Sequence, residues 1–359
     1  MLPAEAEERA EKRQPFEKLD LSGVDWSGAA LAEAVFIECV LRGTSLAGAD
    51  LSGATFLNCD LATANLEGAK LEGTTFAGGR LVMAILVGAD ACRAGFERCD
   101  LTALSAERLA GPYASFSGCE LEQANFRGAD LSLATLSACG CKETDFGGAN
   151  LTRTQFEQMD VCSIELGGAE LFRVMLVECT VGGRSFAGLK MPVAHLERLD
   201  LRGCDFSEAN LDKASLLGSD LGEASFRRAV LTHVDGRETK LIGTNFAEAD
   251  LTGIDFTGAH AAGVRAPGVK LAESCWKKAD CSGADFQQAN LDLADFSYAT
   301  LENADLTGAS MHRTILHMTK DSGCKHSADK KRALPPDEPR LRAETWYHDH
   351  LKHLKEDDP

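Results

Sequence analysis

Three histidines near the C-terminus, His348, His350 and His353, form the densest group of ligand-type side chains in the sequence. On a helix His350 and His353 would share a face while His348 lies off it, and no acid completes an obvious set. The reading is a solvated, charged tail. The thirteen cysteines are odd in number, include no CxxC, and have no apolar leader before them. Cys139 and Cys141 come nearest to a ligand pair but lack a second pair, so the thiols read as reduced. No serine sits in a GxSxG elbow, and no glycine cluster has the form of a phosphate loop. The expectation is a protein without catalytic residues, metal or cofactor.

Charge is the remaining chemical feature. The formal net charge is -18, and residues 16–319 carry 42 acids against 25 bases, a net of -17. Such a surface repels nucleic acid and acidic membranes and favours basic partners. The longest apolar runs fall far short of the roughly 18 residues that a membrane span needs. The N-terminal MLPAEAEERAEKRQPF has no signal-like apolar stretch, so the chain is expected to be soluble and cytoplasmic.

The elements that position these charges follow from one period. From Phe16 to Leu316, stepping by five visits 61 positions without an insertion, and 16 are Phe and 31 Leu. In ANLDLADFSYATLENADLTGAS, Leu291, Phe296, Leu301 and Leu306 follow this step, each with alanine two residues earlier. On an α-helix a step of five turns about 500°, and along one strand it changes face. A chain that turns a corner after each five residues keeps all the large residues inside. The small residue two before then also points in, and the residue between, mostly Asp or Asn, points out.

Four sides make a coil of 20. Phe16, Phe36, Phe56, Phe76, Phe96 and Phe116 are spaced by 20, and Phe126, Phe146, Phe186, Phe206, Phe226 and Phe246 occupy the column offset by ten. The cysteines Cys39, Cys59, Cys99, Cys119, Cys139 and Cys179 repeat on multiples of 20 as well. They serve as slightly larger apolar alanines, and parallel Cβ vectors make a Cys39–Cys59 disulfide poor in geometry.

This pattern of ADL, ANL and NF-type pentads resembles the pentapeptide-repeat family. The resemblance implies an all-β fold, a right-handed quadrilateral β-helix, here of about 15 coils and roughly 70 Å at the usual strand spacing. The expected organisation is an N-terminal helical cap over 1–15, the β-helix over 16–319, a polar linker over 320–339 and a C-terminal amphipathic helix over 340–359. Trp346, Tyr347, Leu351 and Leu354 would form that helix's interface, covering the last coil, pairing with a second copy as a homodimer, or binding a partner. Weak core positions occur at Ala106 and Gly111, at Val181 to His195 with Arg184 in a small inward position, at Gly236, and at Ala261 and Ala266. Each reads either as a dent that a partner uses or as drift in a tolerant fold.

Two functions follow as expectations. The first is a non-enzymatic scaffold or adaptor for protein–protein interaction, which the resemblance extends to a bacterial accessory role beside a type VI secretion system. The alternative, also implied by the resemblance, is a DNA mimic that binds DNA gyrase or topoisomerase IV and protects it from inhibitors. Its candidate contact residues are Asp20, Asp60, Asp100, Asp160, Asp200 and Asp220 on one side, with Asp50, Asp90, Asp130 and Asp250 on the opposite one. In both, the partner is a protein, with neither direct nucleic-acid binding nor membrane insertion.

Overall fold

The five-residue side is too short for an ordinary strand, so the chain pairs only with itself one coil on. A computed structural model describes residues 1–335, 337–339 and 342, and it shows parallel pairing at an offset of 20 as far as Lys325, with Leu334 joining Ile315 at 19. The fold is the expected quadrilateral β-helix, with a single continuous apolar interior from Phe16 to Met311. Each regular corner is a β-turn such as Thr44 N–H to Leu41 C=O (3.2 Å), and Gly43 supplies the positive φ (60°) that its third position requires. Among the described residues no helix is long and apolar enough to cross a membrane.

On one side the pairing is extended enough to form a sheet. Nine strands, β1 (Phe16–Glu17) through β9 (Met175–Val177), stack in chain order. This sheet makes eight coil-to-coil steps, fewer than the fifteen or so coils read from the sequence; beyond Val177 the coils are linked by isolated bridges. The difference lies in the corner after the strand. Up to β9 it is open and commonly holds a cysteine, whereas later it closes by a turn bond such as Ser219 N–H to Leu216 C=O (3.0 Å).

Inside, identical side chains stack. Ring centroids from Phe16 to Phe116 follow one another at 4.5, 4.6, 4.9, 5.0 and 4.8 Å, with planes within 17° of parallel. Phe116 passes the column to Phe126 on the opposite side through an edge contact at 5.7 Å. All thirteen cysteines are free. Those of the column do more than replace alanine. Cys39 Sγ donates to the Phe16 carbonyl (3.2 Å) and Cys119 Sγ to that of Phe96 (3.3 Å). Thr44 donates to Leu21 in the same way at 2.8 Å, and Thr144 to Leu121 at 2.8 Å. A carbonyl 23 residues back is thus the standard acceptor for a polar atom at the small inward position.

Most of the weak positions are filled from within. Leu104 and Leu109 are buried at small positions beside Ala106 and Gly111, so large and small have exchanged places. Val264 and Val269 do the same beside Ala261 and Ala266. The Phe256 ring occupies the space above Gly236, where an added Cβ would lie 2.4 Å from it. In each case a neighbouring large side chain occupies the space, as a close-packed core demands.

Both ends are covered by the chain. Helix α1 (Pro3–Glu11) buries Ala6 and Ala10 over the first coil. Its Arg9 donates to Pro15 C=O (2.6 Å), and its Glu7 accepts the edge amide of Ala30 (3.0 Å). At the other end, the segment read as a linker from 320 onward is a linker only in part. Lys320 pairs with Thr300, Lys325 with Asp305 and Leu334 with Ile315, around a 3-10 turn at Ala328–Arg332. Backbone pairing does not require the apolar side chains whose loss marked 320 as a boundary.

Phe76→Ala, at the centre of the stack, is expected to lower stability by about 3–5 kcal/mol. Chemical denaturation read by circular dichroism checks this, and a loss below about 1 kcal/mol would show that the stack relaxes around the void.

Candidate interaction surface

All ten candidate aspartates have the same local role. The Oδ1 of each accepts the backbone N–H two residues on, at 3.0–3.2 Å, from Ser22 to Asp20 through Thr252 to Asp250. The carboxylate closes the corner that follows it, which is why Asp and Asn dominate this position. A hydrogen bond from Ser22 holds the Asp20 carboxyl below its ordinary range, and one from Ser52 does so for Asp50. Arg202 has that effect on Asp200.

The structure stacks the columns in segments, with no bridge between 140 and 160, 180 and 200 or 170 and 190, and shows how bases interrupt them. Asp60 and Asp100 are separated by Arg80, and Asp50 and Asp90 by Lys70. Opposite charges then pair along the column, Lys70 with Asp50 (3.7 Å), Lys240 with Asp220 (3.4 Å) and Lys270 with Asp250 (3.1 Å), while Arg42 reaches Asp60 from the adjoining corner (2.6 Å). Asp200 and Asp220 are direct neighbours, while Asp160 adjoins Thr180. Trp346, Tyr347, Leu351 and Leu354, with the three tail histidines, lie outside the described residues. Among the described residues no group of three or more His, Cys, Asp or Glu is arranged to hold a metal ion.

The one weak segment not healed internally is 181–185. Regular corners have one residue of positive φ, but Gly182 (52°) and Gly183 (67°) both have it. Arg184 then enters the tube where Ala, Cys or Thr belongs. Its Nη1 donates to the Val161 carbonyl, 23 residues back, the acceptor that a threonine there would use. Its Nη2 takes the Ile164 carbonyl at 2.9 Å, which the Ser185 amide would otherwise bond. The Nε is buried without a partner, and the guanidinium lies 4.9 Å from the Phe186 ring centroid. Burial pulls the pKa of this group below its ordinary value.

Around this side chain the coils part. One coil earlier, Phe146, Gly148 and Leu151 donate to Glu165, Gly167 and Glu170 at 2.8–2.9 Å; one coil later, Phe186, Gly188 and Met191 donate to Asp205, Ser207 and Asn210 at 2.7–2.9 Å. Between them, the amides of Leu166, Gly168 and Leu171 make no bond to the next coil, nor do those of Ser185 and Lys190 to the previous one. The Val181–Asp200 contact is missing as well. Only the fourth side stays closed, through Arg173 N–H to Pro192 C=O (3.0 Å) and Leu176 N–H to His195 C=O (3.0 Å).

The break is open to the surface in two places. A groove of about 520 Å³ is lined by Gly168, Glu170, Leu171 and Phe172 on one lip and Leu189, Lys190 and Pro192 on the other. A second, of about 510 Å³, lies between Thr180, Gly182 and Gly183 and the pair Asp200 and Arg202. The sequence singled out Arg184, but it did not bring forward Phe172, Arg153 or Arg173, whose proximity appears only once residues 20 apart are stacked.

Arg184→Thr is expected to restore the threonine-type bond to Val161, close the break and stabilise the rod by about 2 kcal/mol. Hydrogen exchange should then slow at Leu166, Leu171 and Lys190; unchanged exchange would place the cause in Gly182 and Gly183 instead. The depressed carboxyls give a second expectation. Their contribution is complete above the ordinary value of 3.8 and is lost as pH falls through the lower folded values. The melting temperature should therefore be flat from about pH 7 to 5 and fall steeply below about pH 4. A flat profile down to pH 2 would show that the corner carboxylates add nothing.

The sequence matches the family description Pentapeptide repeats, in eight copies, over residues 16–53, 39–78, 114–162, 194–228, 219–258 and 277–313, more than half of the chain. No curated protein sequence matches it significantly. Among solved structures, full-length QnrB1, a plasmid-mediated fluoroquinolone resistance protein, is similar at 15% identity and a TM-score of 0.26. That match covers 92% of this chain and 99% of QnrB1. HetL, involved in heterocyst differentiation regulation in the cyanobacterium Nostoc sp. strain PCC 7120, is similar at 23% identity and a TM-score of 0.16. There the coverage is 87% of this chain and 97% of HetL. Superpositions this loose carry no argument about what this chain binds.

Proposed function

The chain belongs to the pentapeptide-repeat family, a filled rod that can act only through what it presents outward, and we propose that it is a non-enzymatic scaffold for protein–protein interaction. The observation that carries this reading is the break at 181–185. The Cys141–Asp160 side is also unbonded, but at 181–185 three sides open together and leave backbone groups, the exposed Phe172 and the unpaired Lys190 at a groove, with Arg153 and Arg173 beside it. Interfaces draw on such anchors.

DNA mimicry asks for something different: continuous stacks of uncompensated carboxylates. Lys70, Arg80, Lys240 and Lys270 break those stacks, and the carboxylates themselves are engaged at corners. Exposed ion pairs contribute little stability, but they cancel the local charge that a basic DNA-binding groove would read. The narrower placement beside a type VI secretion system has no residue behind it.

A supercoiling assay with purified DNA gyrase separates the two readings. The scaffold reading expects no inhibition at tens of micromolar rod, on the order of ordinary weak binding. Inhibition that disappears when Asp200 and Asp220 are changed to Lys would overturn it in favour of the mimic.

A further inference from the structure

Bases on this rod are normally neighbours of acids. Arg13 meets Glu33 at 2.9 Å, Arg228 lies between Glu208 (3.4 Å) and Glu248 (3.2 Å), and Lys325 meets Asp305 at 3.0 Å. Between Phe16 and Leu316 just one pair of Lys or Arg residues is 20 apart, Arg153 and Arg173. Arg153 N–H donates to Phe172 C=O (2.8 Å), which sets the two arginines on successive coils of the same corner. Like charges so placed repel. Neither has an ion-pair partner among the described residues, nor does Lys190 on the opposite lip of the groove. The nearest acid by register is Glu170, which in a closed coil would face Lys190; across the break they form no ion pair.

Three other features meet at this place. Phe172 is 44% exposed although the family pattern puts a small or polar residue at its position. Pro192 and the half-buried Leu189 continue an apolar floor across the groove. The amides of Leu171 and Lys190 are unbonded along its edges. On a chain of net charge -18, this is a local cationic site with an aromatic anchor and free strand-edge donors.

We propose that this corner of the break binds an acidic, extended segment of a partner protein. A carboxylate would sit between Arg153 and Arg173, an apolar side chain would lie against Phe172 and Pro192, and the segment's backbone would accept from the free amides as an added strand. The inference rests on the scaffold reading and specifies its partner. A nucleic acid would meet the same cations but also the acid-rich sides around them, which disfavours it.

The test uses the full chain and a short fluorescein-labelled peptide alternating Glu with Phe, read by anisotropy. The proposal expects saturable binding, no binding of the matching Lys–Phe peptide, and affinity at least about tenfold weaker in Arg153→Glu/Arg173→Glu. Arg184→Thr, which closes the groove while leaving both arginines in place, should weaken binding as well. Unchanged melting curves confirm that the double variant folds, as expected for exposed corner positions. No binding up to about 1 mM, or equal binding by the double variant, overturns the proposal. So does tighter binding of an oligothymidine on the same residues, or self-association of the rod that the double variant abolishes. A partner captured by the native rod and retained by the double variant would overturn this site alone; gyrase inhibition would overturn the scaffold reading.

Discussion

Hydrogen bonding between coils paired 20 residues apart is the constraint on which everything else in this rod depends. Because each side must meet the side above at about 2.9 Å, the tube must have the same width at every level. That is why the interior is built from one large and one small residue per side, and why phenylalanines stack on phenylalanines. It also explains the exchanges at Leu104 with Ala106 and at Val264 with Ala261, where the two sizes trade places and the width is kept. Arg184 is the exception that shows the rule. It finds the right carbonyl for a polar atom at its position, but from a side chain several atoms too long, and three sides of the coil are open around it.

Much of this is legible from spacing alone. The step of five locates the large core residues of the regular sides, and the Phe columns establish the coil length. What spacing does not convey is how a departure is resolved. Gly111, Gly236 and Arg184 look equally irregular as letters. The first two are compensated by a neighbour in sequence or in the next coil, and the third is not, because no adjacent residue can shorten an arginine. The cysteine thiols likewise read as apolar filler, since a bond to a carbonyl 23 residues away has no local signature.

The acidic columns illustrate the opposite error, in which a real pattern carries less meaning than its regularity suggests. Asp at the outward position is selected locally, by the amide two residues on. Its recurrence every 20 residues is then a by-product of the repeat. Charge becomes informative where bases themselves stack, as Arg153 and Arg173 alone do between Phe16 and Leu316. A repeat supplies its own baseline, and departures from it are the places to look for a task.

The N-terminal helix has a consequence of a different kind. A stack of parallel coils with identical residues in register has the geometry of a growing filament, and a bare first coil would accept the last coil of another molecule. Glu7 on the Ala30 amide and Arg9 on the Pro15 carbonyl occupy those positions from within the same chain. These contacts cap two edge groups of the first coil and so work against head-to-tail lengthening through it. In a protein built on the architecture of a fibre, nine residues stand against growth at that end.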